Sequence, residues 1–348
     1  WIMAYTTIDN PFKYFNTVLY TGNATARTIT TGLETTDWIW NKRRDNSGSH
    51  LLYDKVRGVN KDLNSDSTEA EETQVGTVTA FGTDNFTLGT HGGTNANGET
   101  KANWCWSAGG TTGSSNSDGD ITSTVSANTT AGFSIVSFTG NGSSNQQVGH
   151  GLAATPTCYI TKDRTNGSTN WHYHTTQIDG GMDFGNLNNG NAFSSSSLSA
   201  PSSTTIRVGG TINTSSANFI SYVFAEKKGY SKFGSYTGNG NADGTFLYTG
   251  FKPAFFMIKR TTGSGYNWLL YDNKRQTSFN VIDDFLFPDT NDAETTGNAN
   301  QSLDFLSNGV KHRGNGASSN ASGVVFIYMA FAEAPFVTSG TKAPGTAR

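Results

Sequence analysis

The sequence predicts an all-β protein made of tandem antiparallel β-sandwich, jelly-roll-like repeat domains. Aromatic and β-branched clusters alternate with Gly, Asn and Ser, which reads as strands and turns. Turn signals such as TGNG, TGSG and SNG recur at short intervals, as a sandwich of antiparallel strands requires. Five landmarks also occur three times over in the same order.

Taken along the chain, the first landmark is a turn: YTGN at 20–23, FTGN at 138–141 and YTGN at 236–239. The second is an apolar strand with a basic end: DWIWNKRRD from Asp37, TCYITKDR from Thr157 and AFFMIKRT from Ala254. The third is HLLYDKVRG from His50, WHYHTTQID from Trp171 and WLLYDNKRQ from Trp268. DNFTLGT, TTIRVGG and NGVKHRG come fourth, and the closing strands KANWCWSAGG, FISYVFAEKKG and FIYMAFAEAP come fifth. Each repeat is about a hundred residues long, the size of a small domain.

Alternation sharpens the strand assignments. In AFFMIKR, Phe255, Met257 and Lys259 share one face and Phe256, Ile258 and Arg260 the other. Both faces begin apolar, so the strand is expected to be buried on two sides and to emerge at its basic end. In ISYVFAE, Ile220, Tyr222 and Phe224 alternate with Ser221, Val223 and Ala225, the pattern of a half-buried strand. NVIDDFLFPD at 280–289 is expected to be a short helix or a loop.

The expected divisions are repeats at 13–110, 132–229 and 230–337, with a Gly/Ser/Thr-rich linker at 111–131. No comparable linker separates the second and third repeats, which are expected to pack rigidly in an elongated scaffold. The opening WIMAYTTIDNPF parallels YMAFAEAPF, so 1–12 reads as the closing strand of a preceding unit, and 338–348 reads as a tail.

Composition excludes several function classes. Only 34% of residues are hydrophobic and 15% charged, yet 22 Phe, 13 Tyr and 7 Trp supply several small cores. Disordered chains are usually charge-rich and aromatic-poor. A net charge of −3 gives no footprint for nucleic acid or an anionic membrane. No apolar run approaches the roughly 18 residues of a membrane-spanning helix. Cys105 and Cys158 lie in different candidate strands and read as buried thiols rather than a disulfide framework.

GFKPAFFMIKR, NWLLYDNKR, DFLSNGVKHRG and YMAFAEAPF together resemble repeat units of tailed-bacteriophage virion proteins. Such tail-fibre-like repeats are common in marine phages, including cyanophages and pelagiphages. The resemblance covers nearly the whole chain. It implies an all-β virion surface protein and carries over no catalytic residue. The Asp-x-x-Arg element of that pattern is present as Asp54 with Arg57 and as Asp272 with Arg275, and is expected to form structural ion pairs. The second repeat has Thr175 and Ile178 there.

Candidate sites are few. Trp171, Trp268 and Tyr266 sit beside Gly-Ser-Asn loops and are the candidate glycan-binding surface; the alternative is that the tryptophans close a core. His172 and His174 share a strand face and could ligate a metal. They align with Leu51 and Tyr53, and with Leu269 and Tyr271, which reads as packing. Asn116, Asp118 and Asp120, and likewise Asp289, Asn291, Asp292 and Glu294, have oxygens that could cage calcium but read as polar loops. Asp283 and Asp284 are adjacent, a weak pair for glycoside hydrolysis. No nucleophile elbow, phosphate loop or zinc-spaced motif occurs. The expectation is therefore a non-enzymatic virion surface protein without cofactor or metal. It would act in a tail fibre or spike that attaches to host-surface glycans. Capsid decoration or a head fibre is the second reading, and a carbohydrate-binding module of a secreted protein the third. Its partners would be other virion proteins, and it is expected to form a homo-oligomer, a trimer by analogy with fibres.

Overall fold

The computed structural model describes residues 5–276 and 279–338. It is all-β, with several antiparallel sheets. The repeated landmarks become a repeated strand order. In the first repeat an opening strand, Phe15–Thr21, pairs with the closing strand Thr100–Trp106. The closing strand pairs in turn with an inner strand, Trp38–Arg43, and that with an outer strand, Leu51–Asp54. The second repeat places Phe133–Thr139, Asn218–Phe224, Cys158–Asp163 and His172–Thr175 in the same order. The third repeats it with Ser231–Thr237, Val325–Pro335, Phe251–Arg260 and Leu269–Asp272. Register is kept as well: Trp40 faces Trp104, Ile160 faces Tyr222 and Met257 faces Met329.

Each large sheet has a small companion. It is Arg27–Thr30, Asn85–Leu88 and Val78–Phe81 in the first repeat, and Gln146–Gly149 with Thr205–Val208 in the second. In the third it is Phe246–Tyr248, Gly309–His312 and Leu303–Leu306. Side chains from both members form a local core, such as Ile39, Tyr53 and Cys105 with Ile29, Phe86 and Leu88. The matching sets are Tyr159 and Val223 with Val148 and Ile206, and Phe256 and Tyr271 with Leu247 and Val310.

Strand alternation sends the other set of side chains to the opposite face, where all three large sheets meet. Trp38, Trp40, Trp104 and Trp106 of the first repeat join Ile160, Tyr222 and Phe224 of the second and Phe255, Met257 and Phe331 of the third. Trp38 stacks on Tyr222 with ring centres 4.2 Å apart, and Phe15 on Phe331 at 5.3 Å. The closing strand of the second repeat is therefore buried on both faces, not one: Tyr222 and Phe224 enter the common core while Val223 and Ala225 enter the local one. The inner strand of the third repeat is likewise buried on both faces, and its basic end emerges only at the half-exposed Arg260, since Lys259 is fully buried.

Three further expectations change. Residues 111–131 are not a free linker: Ser114–Asn116 and Ser123–Asn128 extend the second large sheet beyond its opening strand. Thr124, Val125 and Ser126 supply the extended, β-branched and hydroxyl-bearing pattern that pairs there. Within 1–12, the described part from Tyr5 forms no strand of a preceding unit. Thr6 instead donates to the Lys228 carbonyl at 2.7 Å, Tyr5 donates to the Gly250 carbonyl at 2.6 Å, and Ile8 is buried in the common core. The segment 280–289 agrees with one of its two expected forms, a loop, held by single bridges such as those from Ile282 to Leu303 and from Phe285 to Thr295. Finally, the repeats do not run in an open row. The third touches the first, for example where Ser65 donates to the Pro288 carbonyl at 2.7 Å, so the three close on one another.

Candidate functional site

The closing of the three repeats explains most of the predicted polar residues. Glu71 donates its N–H to the Arg164 carbonyl, Phe193 to that of Thr261 and Glu294 to that of Arg44, so one backbone bond recurs at each contact. Two of the contacts are ionic. Arg57 pairs with Asp54 inside the protein, reaches Glu71 at 3.2 Å and donates to the Leu52 carbonyl at 2.7 Å. Arg164 of the second repeat grips the same Glu71 through two bonds of 2.9 Å. Arg275 pairs with Asp272 at 2.5 Å, donates to the Leu270 carbonyl at 2.8 Å, and shares Glu294 with Arg44 of the first repeat. Each buried aspartate also accepts from a neighbouring repeat's aromatic residue, Asp54 from the Tyr222 hydroxyl at 2.8 Å and Asp272 from Trp104 Nε1 at 2.9 Å.

The third contact is built differently. Ile178 and Phe193 stand where the other contacts have Arg and Glu, and both pack on the common core. Gln177 takes over the cross-repeat role, donating to the Gly234 carbonyl at 2.9 Å and the Tyr328 carbonyl at 2.7 Å. Met329 occupies the place of Tyr222 and Trp104 and has no proton to give. Where the aspartate is missing, its donor is missing too.

The candidate glycan surface is not assembled. Trp171 is 0% exposed and Trp268 1% exposed, so neither ring has a face for a sugar. Their indole N–H groups donate across repeats, Trp171 to the Asn64 carbonyl at 2.7 Å and Trp268 to the Asn186 carbonyl at 2.9 Å. His50 is buried at the matching place in the first repeat. Tyr266 is half-buried, and the Arg260 guanidinium covers its ring at 3.9 Å. The core-closing alternative describes the tryptophans.

The possible calcium residues are tied into turns and contacts. Asp118 N–H donates to Asn116 at 3.0 Å, and Asp120 accepts from the Gln147 N–H at 2.9 Å. Asp289 accepts from the Trp268 N–H at 3.1 Å, and Asp292 from the Thr290 hydroxyl at 2.8 Å. Asp283 accepts from Gln276 at 3.0 Å, and Asp284 from the Gly297 N–H at 3.0 Å. Among the described residues no group of three His, Cys, Asp or Glu side chains could hold a metal. Cys105 and Cys158 are free and buried.

Three lysines were missed as a set. Lys42, Lys162 and Lys259 end the inner strands, and all are fully buried. Each donates to a backbone carbonyl two residues before the third landmark: Gly48 at 2.7 Å, Thr169 at 2.7 Å and Tyr266 at 2.5 Å. Their shared position was legible; their burial was not, because a basic strand end usually meets water. Burial pushes all three down from 10.5 to about 8. Between pH 8 and 9 the folded state thus releases protons that the unfolded chain keeps, so stability should rise with pH. Above pH 9 the Cys105 and Cys158 thiols, pushed up by burial, work the other way. A higher urea midpoint at pH 9 than at pH 8 is the expected result; a lower one would overturn this account.

One cleft opens in the second repeat, with a volume of about 650 Å³. His172, His174 and Phe184 form its apolar side, Leu198 and Ile212 flank it, and Ser144, Ser195–Ser197, Asn145 and Thr211 supply its polar side. The aligned residues Leu51 with Tyr53, and Leu269 with Tyr271, instead lie in the local cores. In those repeats the small sheet has a third strand, Val78–Phe81 or Leu303–Leu306. In the second repeat that stretch is a serine-rich irregular segment, and the space stays open. His172 Nε2 lies 3.1 Å from the Thr211 hydroxyl, and His174 stacks on Tyr159 and Phe184. Burial pushes His172 down to about 4 and His174 to about 3, so both rings are neutral near pH 7. The lining contains no Asp, Glu, Lys or Arg.

Residues 10–335 match the family described as a domain of unknown function (DUF7483). No curated protein and no solved structure matches the chain.

Proposed function

This chain belongs to the DUF7483 family, and for it we propose a non-enzymatic role on the surface of a tailed-bacteriophage particle, as a tail-fibre or spike component that attaches to host-surface glycans. Each large sheet with its small companion is read here as one jelly-roll-like β-sandwich, repeated three times. The cleft carries the attachment reading. Hydroxyls, an amide and aromatic faces with no ionised side chain suit a neutral polyhydroxy ligand. General acid–base chemistry calls for a titrating group near working pH, and the two histidines are held neutral well below it. The repeat landmarks, through their resemblance to phage repeats, supply the particle. In that setting the chain joins other virion proteins as a homo-oligomer, with a trimer expected, and meets neither nucleic acid nor membrane.

Gold-labelled antibody against this chain, applied to intact particles and viewed by electron microscopy, tests the assignment. Label at the tail is the expected result. Label over the head would replace it with a decoration or head-fibre role. Infectious particles without label would overturn the virion reading and favour a carbohydrate-binding module of a secreted protein.

A further inference from the structure

We propose that the second-repeat cleft binds one ring of a neutral hexose-type saccharide, laid on Phe184 and His172, and rejects acidic sugars; this rests on the glycan-attachment reading above. Phe184 and His172 are half-buried neighbours with ring centres 5.9 Å apart, an apolar step at the side of the opening. A pyranose ring has an apolar face of C–H groups that packs on such a surface, while its hydroxyls need polar partners. The exposed hydroxyls of Ser144, Ser195 and Ser197 make no hydrogen bond to the protein among the described residues. Hydroxyls both donate and accept, so they match sugar hydroxyls in either direction.

Charge decides against acidic sugars. A carboxylate or sulfate entering the cleft would lose water and find no cation. Lys162 and Arg207 lie outside the lining: Lys162 donates to the Thr68 and Thr169 carbonyls at 3.0 and 2.7 Å, and Arg207 to the Asn145 carbonyl at 3.2 Å from behind the wall. The other two repeats show what an occupied version looks like, with Leu and Tyr at the positions of His172 and His174.

Calorimetric titration of the full chain tests this. The probes are neutral gluco-, galacto-, manno- and N-acetylglucosamine oligosaccharides, against sialyllactose, oligogalacturonate and heparin fragments. At least one neutral probe should bind and the acidic ones should not. Phe184→Ala and the rim substitution Ser197→Trp should each weaken binding about tenfold or more. The double variant His172→Leu/His174→Tyr should abolish it. Ser197→Trp lies on an exposed loop and keeps the test valid if the buried variants fail to fold. No binding by any neutral probe, equal binding of acidic probes, or full binding by Ser197→Trp would overturn the inference. Tail-labelled particles whose protein binds acidic saccharides as well as neutral ones sink this inference alone, whereas a protein that binds no saccharide sinks the glycan-attachment reading with it. Saccharide binding in the cleft without label on particles sinks the virion reading alone.

Discussion

Asp272→Ala should destabilise the protein by about 3–5 kcal/mol at pH 7, because it leaves the buried Arg275 guanidinium with Glu294 as its one carboxylate and the buried Trp104 Nε1 without its acceptor. Arg275 is 2% exposed and Asp272 1% exposed, so solvent cannot take over. Burial pulls the Asp272 carboxyl up, but the Arg275 guanidinium outweighs it and holds the group below its ordinary 3.8. A depressed carboxylate contributes stability above its unfolded value and loses it as pH falls through the folded one. The gap between wild type and variant should therefore narrow below pH 3.8. Urea unfolding at pH 7 and pH 3 measures both effects. Tyr222→Phe, which removes the cross-repeat donor to Asp54 and a 3.4 Å acceptor of Arg57, should cost less, about 1.5–3 kcal/mol. Transplanting the apolar contact whole, with Asp54→Thr, Arg57→Ile, Glu71→Phe, Tyr222→Met and Arg164→Thr together, should cost less than Asp54→Ala. Well-packed apolar side chains often replace a buried ion pair without loss. A loss below about 1 kcal/mol for Asp272→Ala would put the pair in the class of surface salt bridges.

The second large effect is on cooperativity. The intact chain should unfold in one transition, and a fragment of residues 111–229, which keeps every strand of the second large sheet, should not fold alone. Its large sheet would present Ile135, Ile160, Trp171, Tyr173, Tyr222 and Phe224 to water, all now buried in the common core. At about 1.5–3 kcal/mol for each such side chain, that exposure rivals the roughly 5–15 kcal/mol that stabilises a whole domain. Trp38→Ala, which opens a cavity where the first and second repeats stack, should cost about 3–5 kcal/mol and shift the entire transition. Differential scanning calorimetry separates the cases. Three resolved peaks, with only one moved by Trp38→Ala, would mean that the repeats fold independently.

Much of this protein was legible before its structure was known. The turn, the apolar strand, the Asp-x-x-Arg element and the closing strand became equivalent elements with equivalent registers. The Asp-x-x-Arg residues do form buried ion pairs. The contacts between repeats were not legible, because alternation says that a strand has two apolar faces and not what covers each. Trp171 and Trp268 beside Gly-Ser-Asn loops left a surface reading and a core-closing reading open for that reason, and a neighbouring repeat covers them. Ser123–Asn128 was hidden by its Ser, Thr and Asn content, which signals a linker as readily as a polar strand added to a sheet. The cleft had a signal in the alignment itself. His172 and His174 replace Leu and Tyr, and such a loss of packing residues in one copy marks a copy released from filling its core.

A homotrimer of single repeats would have identical copies and would dissociate on dilution. Joining three repeats in one chain removes both constraints. The local concentration of each neighbour is set by the chain and not by the solution. Every contact is then free to differ: two are ionic, one joins apolar packing to the Gln177 amide, and one copy has a two-stranded small sheet beside an open cleft. The valence toward a ligand of that cleft is one per chain, so any avidity must come from how many chains a surface displays.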